Sequence, residues 1–374
     1  MKLLYSSAAL VTTLVGVGIF GIPFSFVKAG FVTGLVFLII IVALSLFRNL
    51  MFGEIILRTH ERHQIIGYAD IYLGPLGKKI ALFSYMLGIY GALLAIIAIS
   101  GNFWANVFFF FDFSLTTFST LFFILATSVI VLGLKGASKI DFVLLLMFVF
   151  IVSIISVMSA GRIDVANYKT LFSLEFWFLP FGVVLFAMEG LSSIPLLREA
   201  LVGEDYLTRK AITWGTLIPA GLYLLFAIII VGVSGDITSP DAISGLGEFL
   251  GTKAIIIGSI LGLISTFTVF VNTSLALKKS FMYDFDMGTT KAQLLVSLPP
   301  YLLFLSGLRD FIEIIGLVGS IAVSLITILL IFIFIKAREE GDRIPEYTIF
   351  APKWLLYSMI LIFGAGIVYS FMFF

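Results

Sequence analysis

Two short stretches of this chain place glycine and proline inside otherwise apolar runs, and the chemistry they offer is that of exposed peptide backbone. The first is Gly16-Val17-Gly18-Ile19-Phe20-Gly21-Ile22-Pro23, and the second is Gly190-Leu191-Ser192-Ser193-Ile194-Pro195. Both contain the pattern G-x-x-x-I-P, from Gly18 to Pro23 and from Gly190 to Pro195. Within a helix each Gly costs roughly 1 kcal/mol and each Pro about 3. In hydrocarbon the freed amides and carbonyls add several more, unless they line a cavity or meet a ligand. An unwound segment presents amides from one half-helix and carbonyls from the other, so it can hold a carboxylate and an ammonium together. An α-amino acid carries both groups. Gly16, Gly18, Ile19 and Phe20 at the first break, with Phe186, Ala187, Glu189 and Gly190 at the second, are therefore the candidate binding residues. Close helix packing is the competing use of such glycines, and it is the reading for Gly258-Ser259-Ile260-Leu261-Gly262. One break alone would favour packing; two matched breaks favour binding.

Glu189 stands one position before the second break, the one acidic residue in the middle of a long apolar run. An ionisable group at that depth costs at least about 2.5 kcal/mol and is presumed functional until a partner is found. It suits a substrate ammonium or a coupling proton. Two structural roles compete: capping the freed amides of the break, or pairing with Arg48, which otherwise snorkels toward the near end of its own run. Glu54, nearer that end, reads as structural. Ser265 and Thr266 set adjacent hydroxyls in another apolar run, although Ser and Thr often bond back to their own helix carbonyls. Phe20 and Phe186, beside the two breaks, suit the wall of a side-chain pocket, a weak signal in a chain with 40 Phe. The chain has no Cys, and its two His, His60 and His63, share one polar loop. Disulfides, thiolate chemistry, haem and His-based metal centres in the apolar runs are thereby excluded. A net charge of +1 gives no footprint for nucleic acid.

The elements that must position these residues are membrane helices. Hydrophobic residues make up 60% of the chain and charged ones 12%, about half the share a soluble domain carries, and mean hydropathy is +1.16. A spanning helix needs about 20 apolar residues. Eleven segments meet that need: 3–28, 30–57, 79–111, 115–134, 139–160, 175–200, 211–235, 253–280, 291–307, 309–336 and 353–374. The first lacks a cleavage motif and reads as a span, not as a signal peptide. The third is long enough to require tilt, and Pro299-Pro300 should kink the ninth. Residues 59–78 suggest an interfacial helix, and Ser239-Pro240-Asp241 reads as a helix start with Ser at the cap and Pro at the first position.

With the N-terminus inside, 17 Lys and Arg fall at inner ends: Lys2, Arg58, Arg62, Lys78, Lys79, Lys135, Lys139, Arg198, Arg209, Lys210, Lys278, Lys279, Lys291, Lys336, Arg338, Arg343 and Lys353. Five fall at outer ends: Lys28, Arg162, Lys169, Lys253 and Arg309. This asymmetry predicts a cytoplasmic N-terminus and an outer C-terminus in the plasma (inner) membrane. The breaks fall in the first and sixth segments, which cross in opposite directions and each open a set of five. That pattern predicts an all-α membrane protein built as a 5+5 inverted repeat, about 3–160 and 175–336, with an extra helix at 353–374. The whole of 1–374 is then one transmembrane domain.

Gly16 to Pro23, followed by Lys28-Ala29-Gly30, resembles the first helix of the amino acid/auxin permease family, within the amino acid–polyamine–organocation superfamily of LeuT-type fold. Phe186-Ala187-Met188-Glu189-Gly190 looks like the broken sixth helix of the same superfamily. The resemblance implies amino-acid uptake driven by a cation gradient, without a cofactor beyond a sodium ion or proton. It also implies a sodium site made by Ser265 and Thr266 with the carbonyls of Thr12, Val15 and Gly262, although proton-coupled relatives carry similar hydroxyls. An aromatic residue of the third helix closing on substrate is implied as well, with Tyr90 preferred over Tyr85.

An amino-acid symporter is thus the leading expectation. A carrier of another small solute or a non-transporting amino-acid sensor fits the same breaks, but a polyamine would call for more buried carboxylates than Glu189. A channel would show pore-lining repeats or charged rings, and an enzyme Ser/His, Asp/Asp or His-rich motifs at depth; neither pattern is present.

Overall fold

The computed structural model describes residues 2–131, 138–169, 172–284 and 286–373. Lys135 and the end of the fourth expected segment lie outside the described residues. Among the described residues every regular element is a helix, and there is no strand. The first segment divides into α1 (Lys2–Leu14), a 3-10 turn (Val17–Phe20) and α2 (Gly21–Ala29), with a bend of 46° between its halves. Then follow α3 (Phe31–Arg58), α4 (Ile65–Val107), α5 (Leu115–Val131) and α6 (Ser138–Ser159). The sixth segment divides likewise into α7 (Leu179–Ala187), a 3-10 turn (Leu191–Ser193) and α8 (Ile194–Ala200). The rest is α9 (Thr208–Ser234), the short α10 (Gly247–Leu250), α11 (Thr252–Asp284), α12 (Thr289–Leu305), α13 (Phe311–Val318), α14 (Ser324–Glu340) and α15 (Lys353–Phe373). Among the described residues seven helices are long and apolar enough to cross a membrane, or eight with the bent first pair, and Leu115–Val131 is a shorter apolar helix.

Local chemistry explains most boundaries. Gly74 takes φ +70°, which only glycine adopts freely, and Pro75 then opens a new helical run. The expected interfacial helix is therefore residues 65–73, and the third segment starts at 75 and ends at Val107, four residues earlier than expected. Asp310 caps α13 by accepting from the Glu313 amide at 2.9 Å. Between α13 and α14 the tenth segment passes through a π-helical turn (Gly319–Val323) that its apolar sequence did not announce. There two glycines meet: a Cβ on Gly319 would overlap the Gly182 carbonyl, and one on Gly182 the Gly316 carbonyl. The helix expected to start at Pro240 does not form. Helix begins only at Ser244, and both side chains cap it: Asp241 accepts from the amides of Ile243 (3.2 Å) and Ser244 (3.0 Å), and the Ser239 hydroxyl oxygen accepts from the Gly245 amide at 2.9 Å. Ala242 sits at φ +59°, a turn conformation that separates the proline from the helix. Helix α12 runs unbroken through Pro299 and Pro300.

The broken segments lie at the centre. In the most apolar window of Leu179–Ala200, 78% of residues are buried, against 28% in Phe31–Arg58. Helices α3 and α9 pack against each other and against the two broken segments; α4, α11 and α13–α14 close the remaining sides, and α15 packs outside on α14.

Residues that the charge count assigned to one side meet at one end of the bundle. Lys2 pairs with Glu204 at 3.2 Å. Glu54, fully buried, accepts from Arg58 Nε at 2.9 Å, from Arg338 Nε at 3.0 Å and from the Ile349 amide at 2.8 Å. Arg343 reaches the Leu57 carbonyl at 2.9 Å and Asp205 at 3.1 Å. Burial, aided by the Glu54 charge, pushes the Tyr347 phenol beside them well above its ordinary pKa. The structural reading of Glu54 holds: without these donors its carboxylate could not be buried.

Candidate functional site

Each break begins where a helix stops supplying partners to its own backbone. Helix α1 ends at Leu14, and the Gly16 amide turns back to the Leu14 carbonyl at 2.6 Å. Gly16 itself is extended (φ −106°, ψ −153°), so Val17, Gly18 and Ile19 open a fresh helical run. The first amides of such a run have no acceptors within it. In the sixth segment the run ends at Ala187, and Met188, Glu189 and Gly190 lie between the two helical halves.

The two breaks touch. A Cβ on Gly18 would lie 2.7 Å from Ala187 Cα and 2.8 Å from Ala187 Cβ. One on Gly190 would lie 2.8 Å from Leu10 Cδ1 and 3.0 Å from Leu14 Cδ2. Packing and unwinding thus coincide here, because glycine is needed both to break the helix and to let the other broken helix approach. Gly16, Gly18, Ile19, Ala187 and Gly190 are brought together at this contact, all buried.

Glu189 finds both structural partners that its sequence position suggested. Its Oε2 lies 2.9 Å from Arg48 Nη1, and its Oε1 accepts from the Leu191 amide at 3.2 Å. Arg48 is fully buried, so it does not snorkel. Its Nη2 donates to the Met188 carbonyl at 2.9 Å, and weaker contacts at 3.4–3.5 Å join Asn49 and Thr327. One guanidinium therefore offsets the Glu189 charge and satisfies a carbonyl freed by the break. Removing one member of a buried pair costs about 3–5 kcal/mol; Glu189 is 33% exposed, which places this pair near the lower figure. Asn49 Nδ2 extends the network to Thr216 Oγ1 at 3.1 Å.

The aromatic residues sort differently from expectation. Phe20 is buried beside the first break, with its ring 5.0 Å from Phe103 of α4 and 6.1 Å from Phe226 of α9. Phe186 is half-buried at the end of α7. Tyr90 does not join them: its hydroxyl donates to the Leu295 carbonyl of α12 at 2.8 Å. Phe103 lies thirteen residues further along α4, about 220° round the helix at 3.6 residues per turn, so the two point to different neighbours. The aromatic residue of α4 at the break is Phe103.

Of the two hydroxyl candidates, Thr266 is buried and Ser265 half-buried. Thr266, fully buried, donates to the Gly262 carbonyl at 2.8 Å, and Thr12 donates to the Ala8 carbonyl at 2.9 Å. The back-bond of Thr266 occupies its hydroxyl proton and leaves an oxygen lone pair as acceptor, the orientation that a cation requires. Helix α11 does border the first break, since a Cβ on Gly16 would lie 3.6 Å from Val269 Cγ2. The donor set of Ser265, Thr266 and the Thr12, Val15 and Gly262 carbonyls is therefore chemically compatible with a small cation.

Three features escaped sequence reasoning. Thr13 and Ser193 share a hydrogen bond of 2.5 Å between the end of α1 and the 3-10 turn of the sixth segment. Phe103 carried no signal among so many Phe. Tyr223, one of 13 Tyr, lies buried in α9 with its hydroxyl at the carbonyls of Leu14 and Ala187, the latter at 2.9 Å.

Comparison with known proteins adds scale to this geometry. A family model described as the tryptophan/tyrosine permease family matches residues 1–371. The tyrosine-specific transport system 1 of Haemophilus influenzae is 26% identical over 368 residues, covering 92% of this chain and 90% of that protein. The crystal structure of MhsT in complex with L-phenylalanine superposes with a TM-score of 0.63 at 16% identity, covering 99% of this chain and 98% of that one. The fold is of the LeuT type. The resemblance to the amino acid/auxin permease family is corrected by the first match. A Gly-rich break closed by Pro answers a backbone requirement of the fold, so it marks the fold without separating the families that share it.

Proposed function

We propose that this chain, which belongs to the tryptophan/tyrosine permease family, carries aromatic amino acids across the membrane by alternating access. It is a multi-pass membrane transporter and not an enzyme. The observation that carries the proposal is the direct contact of two helix breaks beneath the aromatic cluster of Phe20, Phe103 and Phe226. Amides at Val17, Gly18 and Ile19 receive the substrate carboxylate, and carbonyls of the breaks receive its ammonium. Phe20, Phe103 and Phe226, with Phe186, form an apolar wall that suits an aromatic side chain; ring pairs contribute about 0.5–1.5 kcal/mol beyond area. The relatives named for tyrosine and bound to phenylalanine support the same substrate class.

The architecture proposed with this function is eleven spans in one domain, with inverted repeats at about 3–160 and 175–336 and an added last helix. The N-terminus lies in the cytoplasm and the C-terminus outside the plasma (inner) membrane. A single cysteine replacing Asp112 should react with an impermeant thiol reagent from outside, and one replacing Glu340 should not. The chain has no Cys of its own, so the opposite labelling would reverse the orientation without ambiguity.

Sodium is the proposed coupling ion, held by Ser265 and Thr266 with the carbonyls of Thr12, Val15 and Gly262, where it would supply positive charge near the substrate carboxylate. A proton carried by Glu189 is the weaker alternative, because protonation would leave buried Arg48 without its counter-charge. Uptake by purified protein in liposomes tests both levels. Tyrosine, tryptophan and phenylalanine should saturate and compete with one another, and sodium should stimulate their uptake at fixed pH. Uptake that follows only an imposed pH gradient would select the proton; no aromatic uptake under any gradient would remove the proposal.

A further inference from the structure

Helix α9 is intact, yet it places one side chain on both breaks. The Tyr223 hydroxyl lies at hydrogen-bond distance from the carbonyl of Leu14, the last residue of α1, and 2.9 Å from the carbonyl of Ala187, the last residue of α7. In a continuous helix these carbonyls would accept from the residues four positions on. Here that donor for Ala187 is diverted, since the Leu191 amide bonds the Glu189 carboxylate at 3.2 Å. Among the described backbone contacts, the carbonyl of Leu14 keeps the tight turn from the Gly16 amide. Tyr223 is fully buried, so no bulk water reaches this point. The phenol has one proton facing two convergent carbonyl acceptors, and donates to either carbonyl in turn.

We propose that Tyr223 is a positioning residue: its hydroxyl clamps the two breaks together and sets the angle at which their backbone groups face the substrate. This rests on the transport reading above, and goes beyond it by assigning substrate affinity to an unbroken helix. The two carbonyls flank Gly16 and Gly18 on one side and Glu189 and Gly190 on the other. A rotation that releases either carbonyl also turns the amides proposed for the carboxylate. Phenylalanine at 223 keeps the ring and its packing but leaves a buried carbonyl without a donor.

The test measures initial uptake of tyrosine in liposomes by the wild type, Tyr223→Phe and Tyr168→Phe. Tyr168 is the matched control: its hydroxyl donates to the Ile228 carbonyl at 2.9 Å, but at the end of α9, far from the breaks in sequence and partners. Tyr223→Phe should raise KM roughly ten- to a hundredfold, the effect of one unsatisfied buried acceptor, with kcat changed less than KM. Tyr168→Phe should stay within about twofold of wild type in KM. If Tyr223→Phe fails to fold, p-aminophenylalanine at 223 decides the matter. Its amino group has two protons for the two carbonyls, and KM should equal or fall below that of wild type. Tyr223→Phe with unchanged KM, an equal loss in Tyr168→Phe, or a raised KM with p-aminophenylalanine would each overturn the clamp. A wild type that takes up no aromatic amino acid would instead overturn the transport reading.

Discussion

The two breaks look alike in sequence and are finished in different ways. At the sixth segment the freed groups meet charged or ionisable side chains: the Met188 carbonyl has Arg48, the Leu191 amide has Glu189, and these two side chains have each other. At the first segment the contacts among the described residues are neutral: a backbone turn at Gly16, the Tyr223 hydroxyl at Leu14, the Thr13–Ser193 hydrogen bond and the packing of Ala187 on Gly18. The contrast suggests a division of labour. On the function proposed above, the sixth break is a frame held by its own network, and the first offers amides for the substrate to complete. A frame fails by losing stability, and an open site fails by losing affinity, so substitutions should separate the two.

The largest expected effect is at Arg48. Arg48→Ala would strand Glu189 and the Met188 carbonyl, costing about 3 kcal/mol, and should lower the melting temperature by several degrees and abolish uptake. Arg48→Ala combined with Glu189→Ala should recover part of that stability, since no charge then lacks a partner. A single variant as stable as wild type would dissolve the distinction between frame and site.

Next come the glycines, which sharpen the comparison because their surroundings differ. Gly18→Ala drives a methyl into the Ala187 backbone, which cannot move aside alone, whereas Gly190→Ala meets the ends of Leu10 and Leu14, which can. Tyrosine binding should fall roughly tenfold or more in the first and only a fewfold in the second, at similar membrane yield. Equal losses would place both glycines in one packing role.

Glu189→Gln is expected to be milder than Arg48→Ala, because the amide keeps the shape and can still cap Leu191. Melting temperature and uptake should decline together. A loss of uptake at unchanged stability would place Glu189 among the substrate or proton ligands. The smallest effect is that of Ser265→Ala with Thr266→Ala, which should leave stability and basal exchange nearly intact and remove sodium stimulation. Sodium stimulation that survives the double change would place the ion elsewhere.

The Arg48–Glu189 pair shows how far the sequence could be followed. Two ionisable residues in apolar runs had to find partners, and pairing was one of few solutions, so the contact was legible as an alternative. Its weight was not, because a lone carboxylate at a break serves a substrate equally well. Tyr90 shows the opposite limit. Its helix was identified, but a helix turns about 100° per residue, and no local property of the sequence states which side faces the centre. Phe103, and not Tyr90, is the α4 aromatic that packs on Phe20. The helix start expected at Ser239-Pro240 shifts for a related reason: the backbone turn at Ala242 carries the chain past the proline, and Ser239 and Asp241 both cap a helix that starts at Ser244.

By itself the sequence determined what depends on composition and local energetics. Long apolar runs cannot be solvated by water, glycine and proline cannot continue a helix in hydrocarbon without cost, and basic residues cluster at one end of the bundle. Those rules act residue by residue, so runs, breaks and ends can be read without knowing any neighbour. Only the tertiary structure decided which groups complete the breaks. Tyr223 reaches Leu14 and Ala187 across 209 and 36 residues, and Arg48 reaches Met188 across 140. Such contacts depend on the rotation and register of packed helices, set by the summed fit of many small side-chain contacts that no single stretch of sequence contains.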